Sequence, residues 1–176
     1  MDILFVAKTP VSVSVEAGHY FQGKQGTTFW NKLKEYGILK VPPGGKEDDC
    51  LLDHKYGITD IVKVPRDYGN EPSEKEYEEG TARIMGLIKK HEPEIVFFVY
   101  KAVLENSLKY QFPNQRITAQ YGINKNLESF FGCKVFVFPM PGVGGLTREE
   151  IDRHLADFRL ELERMKAFKT PLTEKP

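Results

Sequence analysis

Four short runs of apolar residues are separated by longer segments that have helical periodicity. The runs cover residues 3–7, 57–64, 94–100 and 134–138. Within the third run residues 95–99 are all apolar, which is typical of strands buried on both faces of a parallel sheet. The pattern therefore predicts four buried, parallel strands.

Three segments have the spacing of amphipathic helices. The first covers residues 28–36 and is followed by a glycine, a common helix stop. Ser73 caps a second helix that is expected to run to about residue 91. Thr147 caps a third helix over residues 148–168. The apolar face of this last helix is formed by Ile151, Leu155, Phe158 and Leu162.

Strands that alternate with helices predict a mostly parallel sheet with helices on both sides. We expect one α/β domain over residues 1–168, a three-layer α/β/α sandwich with a four-stranded parallel sheet, and a disordered tail over residues 169–176. Ligands of such sheets bind beyond the carboxyl ends of the strands. This rule selects the loops at residues 8–27, 65–72 and 139–146.

Charge and cysteine content limit the function. The 25 basic residues balance 25 acidic ones, so DNA binding needs a local basic surface, and zero net charge by itself favours a small-molecule enzyme or a protein-binding domain. Cys50 and Cys133 are too few for an iron–sulfur cluster or a cysteine-rich zinc site. We expect no metal and no cofactor.

The chain carries no sequence typical of secretion or of a membrane. Asp2 stands where a signal peptide has a basic residue, and the apolar run behind it is short. No apolar run approaches the length that spans a bilayer. We expect a cytoplasmic protein that is a monomer and does not bind membranes.

The first of the three loops contains an aromatic cluster that could contact a nucleobase. Gly18 permits a sharp turn before His19, Tyr20 and Phe21. Aromatic faces stack on bases with about 1–3 kcal/mol each. The alternative is that the rings fill the core, and for Phe21 both interpretations remain open. His19 alone is more typical of a surface or packing histidine than of a catalyst.

The last loop precedes a helix N-terminus, where backbone N–H groups favour anions. It includes the glycine-rich stretch at residues 142–145, followed by Leu146 and Arg148. An apolar residue beside an arginine could enter a base stack as a wedge, or it could be an ordinary surface leucine. Lys101, directly after the third strand, could reach a phosphate or simply be an exposed lysine at a helix start.

The order of these segments resembles the mismatch-specific uracil-DNA and thymine-DNA glycosylases, a branch of the uracil-DNA glycosylase superfamily. Residues 4–10 are similar to the family's Gly-Ile-Asn-Pro-Gly, residues 18–21 to Gly-His-x-Phe, and residues 57–62 to its Gly-Ile-Thr strand. Residues 98–101 resemble x-x-Gly-Lys, and residues 139–148 resemble Pro-Asn-Pro-Ser-Gly-Leu-Ser-Arg. The similarity covers roughly residues 3–162.

The resemblance implies base flipping followed by hydrolysis of the N-glycosidic bond without a metal. DNA would be the partner, and uracil, thymine or a deaminated purine would be the excised base. Phe21, with Tyr20, would contact the flipped base. The residues implied in DNA contacts are Lys101, Gly142, Gly145, Leu146 and Arg148.

Two catalytic positions differ from the family pattern. Thr9 stands where the family has the residue that positions the attacking water, and Met140 stands where it has a residue that stabilises the departing base. Loss of one such donor costs about a hundred- to a thousandfold in rate. His19, Glu16 and backbone N–H groups are candidate substitutes. The alternatives are a degenerate member that binds nucleic acid or a nucleobase without hydrolysis, or a shared fold with a small-molecule or protein partner.

Overall fold

The structure, a computed structural model, describes residues 1–169 of the chain. The strands are β1 (Ile3–Ala7), β2 (Tyr56–Asp60), β3 (Ile95–Phe98), β4 (Gly122–Ile123) and β5 (Lys134–Val137). The helices are α1 (Ser12–Ala17), α2 (Lys24–Glu35), α3 (Glu74–His91), α4 (Lys101–Gln111), α5 (Glu128–Phe131) and α6 (Arg148–Lys169). Short 3-10 turns cover Asp48–Cys50, Leu52–His54 and Lys125–Leu127.

The sheet has five strands in the order β2-β1-β3-β5-β4, which corrects the prediction of four. The four predicted strands are present and pair in parallel. The additional strand, β4, is antiparallel to β5 at one edge, where Gly122 pairs with Val137. Two residues are too short to produce a period in the sequence. The buried Asn124 side chain holds this turn by donating to the carbonyl oxygens of Gln120 and Gly122.

Helices cover both faces of the sheet because side chains along each strand alternate between two cores. On one face Phe5 of β1 belongs to a cluster that includes residues of α2 and α6. On the other face Val6 belongs to a cluster that includes residues of α3 and α4. The α/β character of the domain, with helices on both sides of the sheet, is therefore confirmed.

The predicted helix caps are confirmed. Ser73 and Glu76 form a complete capping box at the start of α3. Thr147 and Glu150 exchange equivalent hydrogen bonds at the start of α6. This last helix includes Lys169, whose ammonium pairs with the carboxylate of Asp2 at 2.9 Å.

Two other expectations concern the chain around these helices. The remainder of the predicted tail, residues 170–176, lies outside the described residues. The segment 8–27, predicted as a loop, contains α1 and the first residues of α2. Among residues 1–169, no helix has the length and apolar character needed to cross a bilayer.

Candidate functional site

A cavity of about 810 Å³ opens at the carboxyl ends of the first three parallel strands. Thr9 follows β1, Asp60 ends β2 and Tyr100 follows β3, and all three line the cavity. Its other walls come from residues 10–26 and from the segment after β2. The cavity is therefore at the edge where parallel α/β sheets bind their ligands.

The carboxyl group of Asp60 is a buried polar group of this cavity. Asp60 is 1% exposed, and its Oδ1 has no hydrogen-bond partner among the described residues. Arg83 lies nearby, but its guanidinium donates to the backbone oxygen of Asp60 and to the Thr59 hydroxyl. Burial raises the pKa of Asp60 to about 6, although Lys63 and Arg83 partly oppose the shift. The carboxylate is therefore a base that titrates just below neutral pH.

Asp60 is not among the site residues that the sequence patterns predict. It is the fourth residue of the Gly-Ile-Thr-Asp segment, which predicts only a strand. The available signal was an acidic residue at the carboxyl end of an otherwise apolar strand. Ala7, the last residue of β1, pairs with Asp60 across the sheet. Thr9 lies two residues further along the chain, so its half-buried side chain and Asp60 share one cavity.

Phe21 is half-buried and forms part of the cavity wall. Its φ of 58° is in the left-handed region, which a bulky residue rarely adopts. The ring packs edge-on against Phe29 at 5.1 Å between centroids. Gly26 of α2 approaches so closely that an added Cβ would lie 2.4 Å from atoms of Phe21. The left-handed backbone of Phe21 and its close packing against Gly26 therefore set the position of its ring at the cavity wall.

His19 and Tyr20 line the same cavity and are fixed by one carboxylate. Asp48 Oδ1 lies 2.9 Å from His19 Nδ1, and Asp48 Oδ2 accepts from the Tyr20 backbone N–H at 2.8 Å. His19, Asp48 and Asp49 bring possible ligand atoms within 4.8 Å of one another, so this group is where the chain could hold a cation. The Asp48 oxygens already orient the loop that carries His19.

Met140 lies in a different place from Thr9 and Phe21. Its side chain is 1% exposed, belongs to the hydrophobic core and lines a separate cavity of about 320 Å³. Tyr100 lines both cavities, and its hydroxyl donates to Gln25 Oε1 at 3.0 Å. The structure places Thr9 and Phe21 at one cavity, and it places Met140 at another cavity that shares Tyr100 with the first.

The side chains considered for DNA contacts lie around the smaller cavity and the start of α6. Lys101 Nζ is 3.5 Å from a Glu105 carboxylate oxygen and 5.4 Å from the Tyr121 ring centroid. Arg148 has a side chain that is 88% exposed, with an Asp152 oxygen at 3.8 Å. Leu146 is half-buried and packs against the core.

The glycines of the last loop are open to solvent. Gly142 and Gly145 are exposed and have φ values of 78° and 70°. Neither position has an atom within 4 Å of where a Cβ would be. Their backbone therefore lies accessible beside Leu146, at the entrance to α6.

A comparison with protein families gives a match over most of the domain. The family model described as the uracil DNA glycosylase superfamily matches residues 1–164. The matched range includes all five strands, the cavity at the strand ends and most of α6. The chain belongs to the uracil DNA glycosylase superfamily.

Proposed function

We propose that the protein is a DNA glycosylase of the mismatch-specific branch, which excises a damaged or mismatched base by hydrolysing its N-glycosidic bond. Membership of the superfamily supports DNA as the substrate. The observation that carries the proposal is the buried carboxylate of Asp60 in the large cavity, whose Oδ1 has no hydrogen-bond partner among residues 1–169. An isolated buried charge costs stability, and such a cost is common where a site performs chemistry.

The flipped base lies against the ring of Phe21, with its sugar towards the strand ends. Asp60 accepts a proton from the attacking water, and Thr9 holds that water through its hydroxyl. A general base is most effective when its pKa lies near the working pH, and the pKa of Asp60 is about 6. Asp60 thus supplies the basicity that a threonine hydroxyl lacks.

The negative charge of Asp60 has a second effect on the reaction. As the base departs, positive charge develops on the sugar in an oxocarbenium-like state. A carboxylate inside a cavity that excludes water stabilises such charge more strongly than one in bulk solvent. The same residue therefore favours both bond cleavage and water attack.

The test uses duplexes that contain uracil, mismatched thymine, hypoxanthine or xanthine, followed by alkali to cleave abasic sites. The wild-type protein is expected to release at least one of these bases. Asp60→Asn is expected to slow that release by about a hundredfold or more. Asp53→Asn, which changes an exposed acid away from the cavity, is the matched control and is expected to leave the rate unchanged. Equal rates for Asp60→Asn and wild type would exclude Asp60 as the base.

The buried position of Met140 favours a second candidate, a member that binds DNA or a base without hydrolysis. No N–H from Met140 reaches a departing base, and its side chain packs in the core. Under this alternative all the duplexes stay intact while DNA still binds at low salt. Leu146→Ala would weaken that binding. Turnover of any of the duplexes would exclude this alternative.

A further inference from the structure

Aromatic side chains form much of the large cavity's wall. Tyr20, Phe21, Tyr68 and Tyr100 all line it, and Tyr68 is 83% exposed. The face of an aromatic ring attracts cations as well as stacking on bases. Lys63 Nζ lies 5.6 Å from the Tyr20 ring centroid and donates to the Tyr20 hydroxyl at 3.1 Å, which places this cation at the edge of the ring and not over its face.

Acidic side chains outnumber basic ones around the cavity. Glu16, Asp60 and Asp67 line it, against Lys24 and Lys63. Asp60 is the buried member of this set, and its Oδ1 has no hydrogen-bond partner among the described residues. A ligand that brings positive charge would give Oδ1 of this carboxylate a charged partner.

Met140 stands at the position of the family's base-stabilising group, and its side chain cannot donate a hydrogen bond to a departing anion. The Met140 side chain has no N–H, and its backbone N–H donates to the carbonyl oxygen of Phe138. Met140 lines the small cavity, and Tyr100 lines both cavities. Uracil and thymine depart as anions and need such a donor. A purine that carries an alkyl group on N3 or N7 is positively charged in DNA, and it departs as a neutral molecule.

We propose that the substrates of this site are N-alkylated purines in DNA, cationic bases that are bound between the aromatic rings and the carboxylate of Asp60. This inference rests on the proposed glycosylase function and names its substrate class. A cavity of about 810 Å³ has room for a purine with an alkyl group. The positive purine ring stacks on the aromatic side chains of the wall, and its charge attracts Asp60 Oδ1.

The reaction balances without a further reactant. The bond between C1′ and the purine nitrogen breaks, and its electron pair neutralises the positive ring. The water oxygen forms the new bond to C1′, and its proton passes to the carboxylate of Asp60. The positive charge of the base and the negative charge of the carboxylate cancel. The products are a neutral base, an abasic sugar and a protonated Asp60.

The test compares duplexes that differ only in carrying N7-methylguanine, uracil or hypoxanthine at one site. Released bases are measured by mass spectrometry, with a reaction lacking protein to correct for spontaneous depurination. The wild-type protein is expected to release N7-methylguanine about a hundredfold faster than uracil, because only uracil needs the missing donor. The nucleoside N7-methylguanosine is titrated separately against guanosine.

Binding of the free nucleoside tests the cation recognition apart from catalysis. N7-methylguanosine is expected to bind more tightly than guanosine, and Tyr68→Ala is expected to reduce that affinity about threefold. Tyr68→Phe keeps the ring and is the matched control, expected to bind as the wild type does. Loss of the preference in both variants, or no preference in the wild type, would contradict recognition by the ring face.

The outcomes separate the two proposals. Release of uracil or hypoxanthine with no release of N7-methylguanine above the spontaneous rate would overturn the alkylpurine assignment and leave the glycosylase function standing. Release from none of the duplexes would overturn the glycosylase function, and the substrate class with it. Preferential release of N7-methylguanine supports both.

Discussion

The large cavity beside Asp60 and the small cavity beside Met140 both lie at the carboxyl ends of the strands, yet their polar content differs. Asp60 keeps a buried oxygen without a partner, whereas Met140 is an apolar part of the core. Tyr100 lines both and is hydrogen-bonded to Gln25 between them. One half of this edge therefore keeps a buried polar group beside a large cavity, whereas the other half is apolar packing.

The largest effect is expected at the packing side. Met140→Asn places an amide in an apolar site, which adds an unpaired polar group to the loss of packing, and we expect a loss of about 4 kcal/mol in the free energy of unfolding. Met140→Leu, the control, is expected to cost less than about 1.5 kcal/mol. Chemical denaturation measures both. A stable Met140→Asn protein with increased base excision would show that the small cavity belongs to the active site.

The next effect concerns the wall that holds Phe21. Gly26→Ala puts a methyl group 2.4 Å from atoms of Phe21, including its backbone. We expect a loss of about 2–3 kcal/mol in the free energy of unfolding, since the chain must shift to relieve the overlap. Gly86→Ala, also within a helix but with open space around the added methyl, is expected to be neutral or stabilising. Thermal unfolding of the two variants measures the difference.

A smaller change, an increase in the free energy of unfolding, is expected when Asp60 is replaced. Its pKa of about 6 in the folded protein lies above the ordinary aspartate pKa of 3.8. The folded state therefore binds this proton more tightly, and the free energy of unfolding falls as pH rises from about 4 to about 6. Asp60→Asn should stabilise the protein at pH 7 by on the order of 2 kcal/mol. The gain should be absent at pH 3.5, and denaturation at both pH values measures it.

The smallest effect is the pH dependence of excision. Above pH 6 Asp60 is mostly ionised and can accept the proton, and below pH 6 it is protonated. Single-turnover rates are expected to rise about tenfold from pH 5 to pH 7 and then to level off. A rate that is constant over this range would separate Asp60 from the proton transfer.

Much of the fold followed from residue patterns, because long apolar runs and caps are local. The strands at residues 3–7 and 134–138 and the capping box at Ser73 need no tertiary information. The strand β4 did not follow, since two residues carry no period and depend on Asn124 for their shape. The helix α1 lies within the segment predicted as a loop.

The site was less accessible to sequence reasoning. The residues Thr9 and Phe21 were selected and do share a cavity, although their roles remain predictions. The burial of Asp60 depends on how the strand ends pack against the surrounding loops. No single segment of the sequence predicts this burial. The position of Met140 at the small cavity depends in the same way on the packing of two neighbouring strand ends.

The left-handed backbone at Phe21 has a consequence for how a base would enter. The ring also packs against Phe29 and Trp30, so rotation of this side chain away from the wall would lose those contacts. The conformational entropy of this wall is therefore lost when the protein folds and not when a base binds. A nucleobase should therefore enter with little rearrangement at this side of the large cavity. Discrimination among bases should then appear in their dissociation rates.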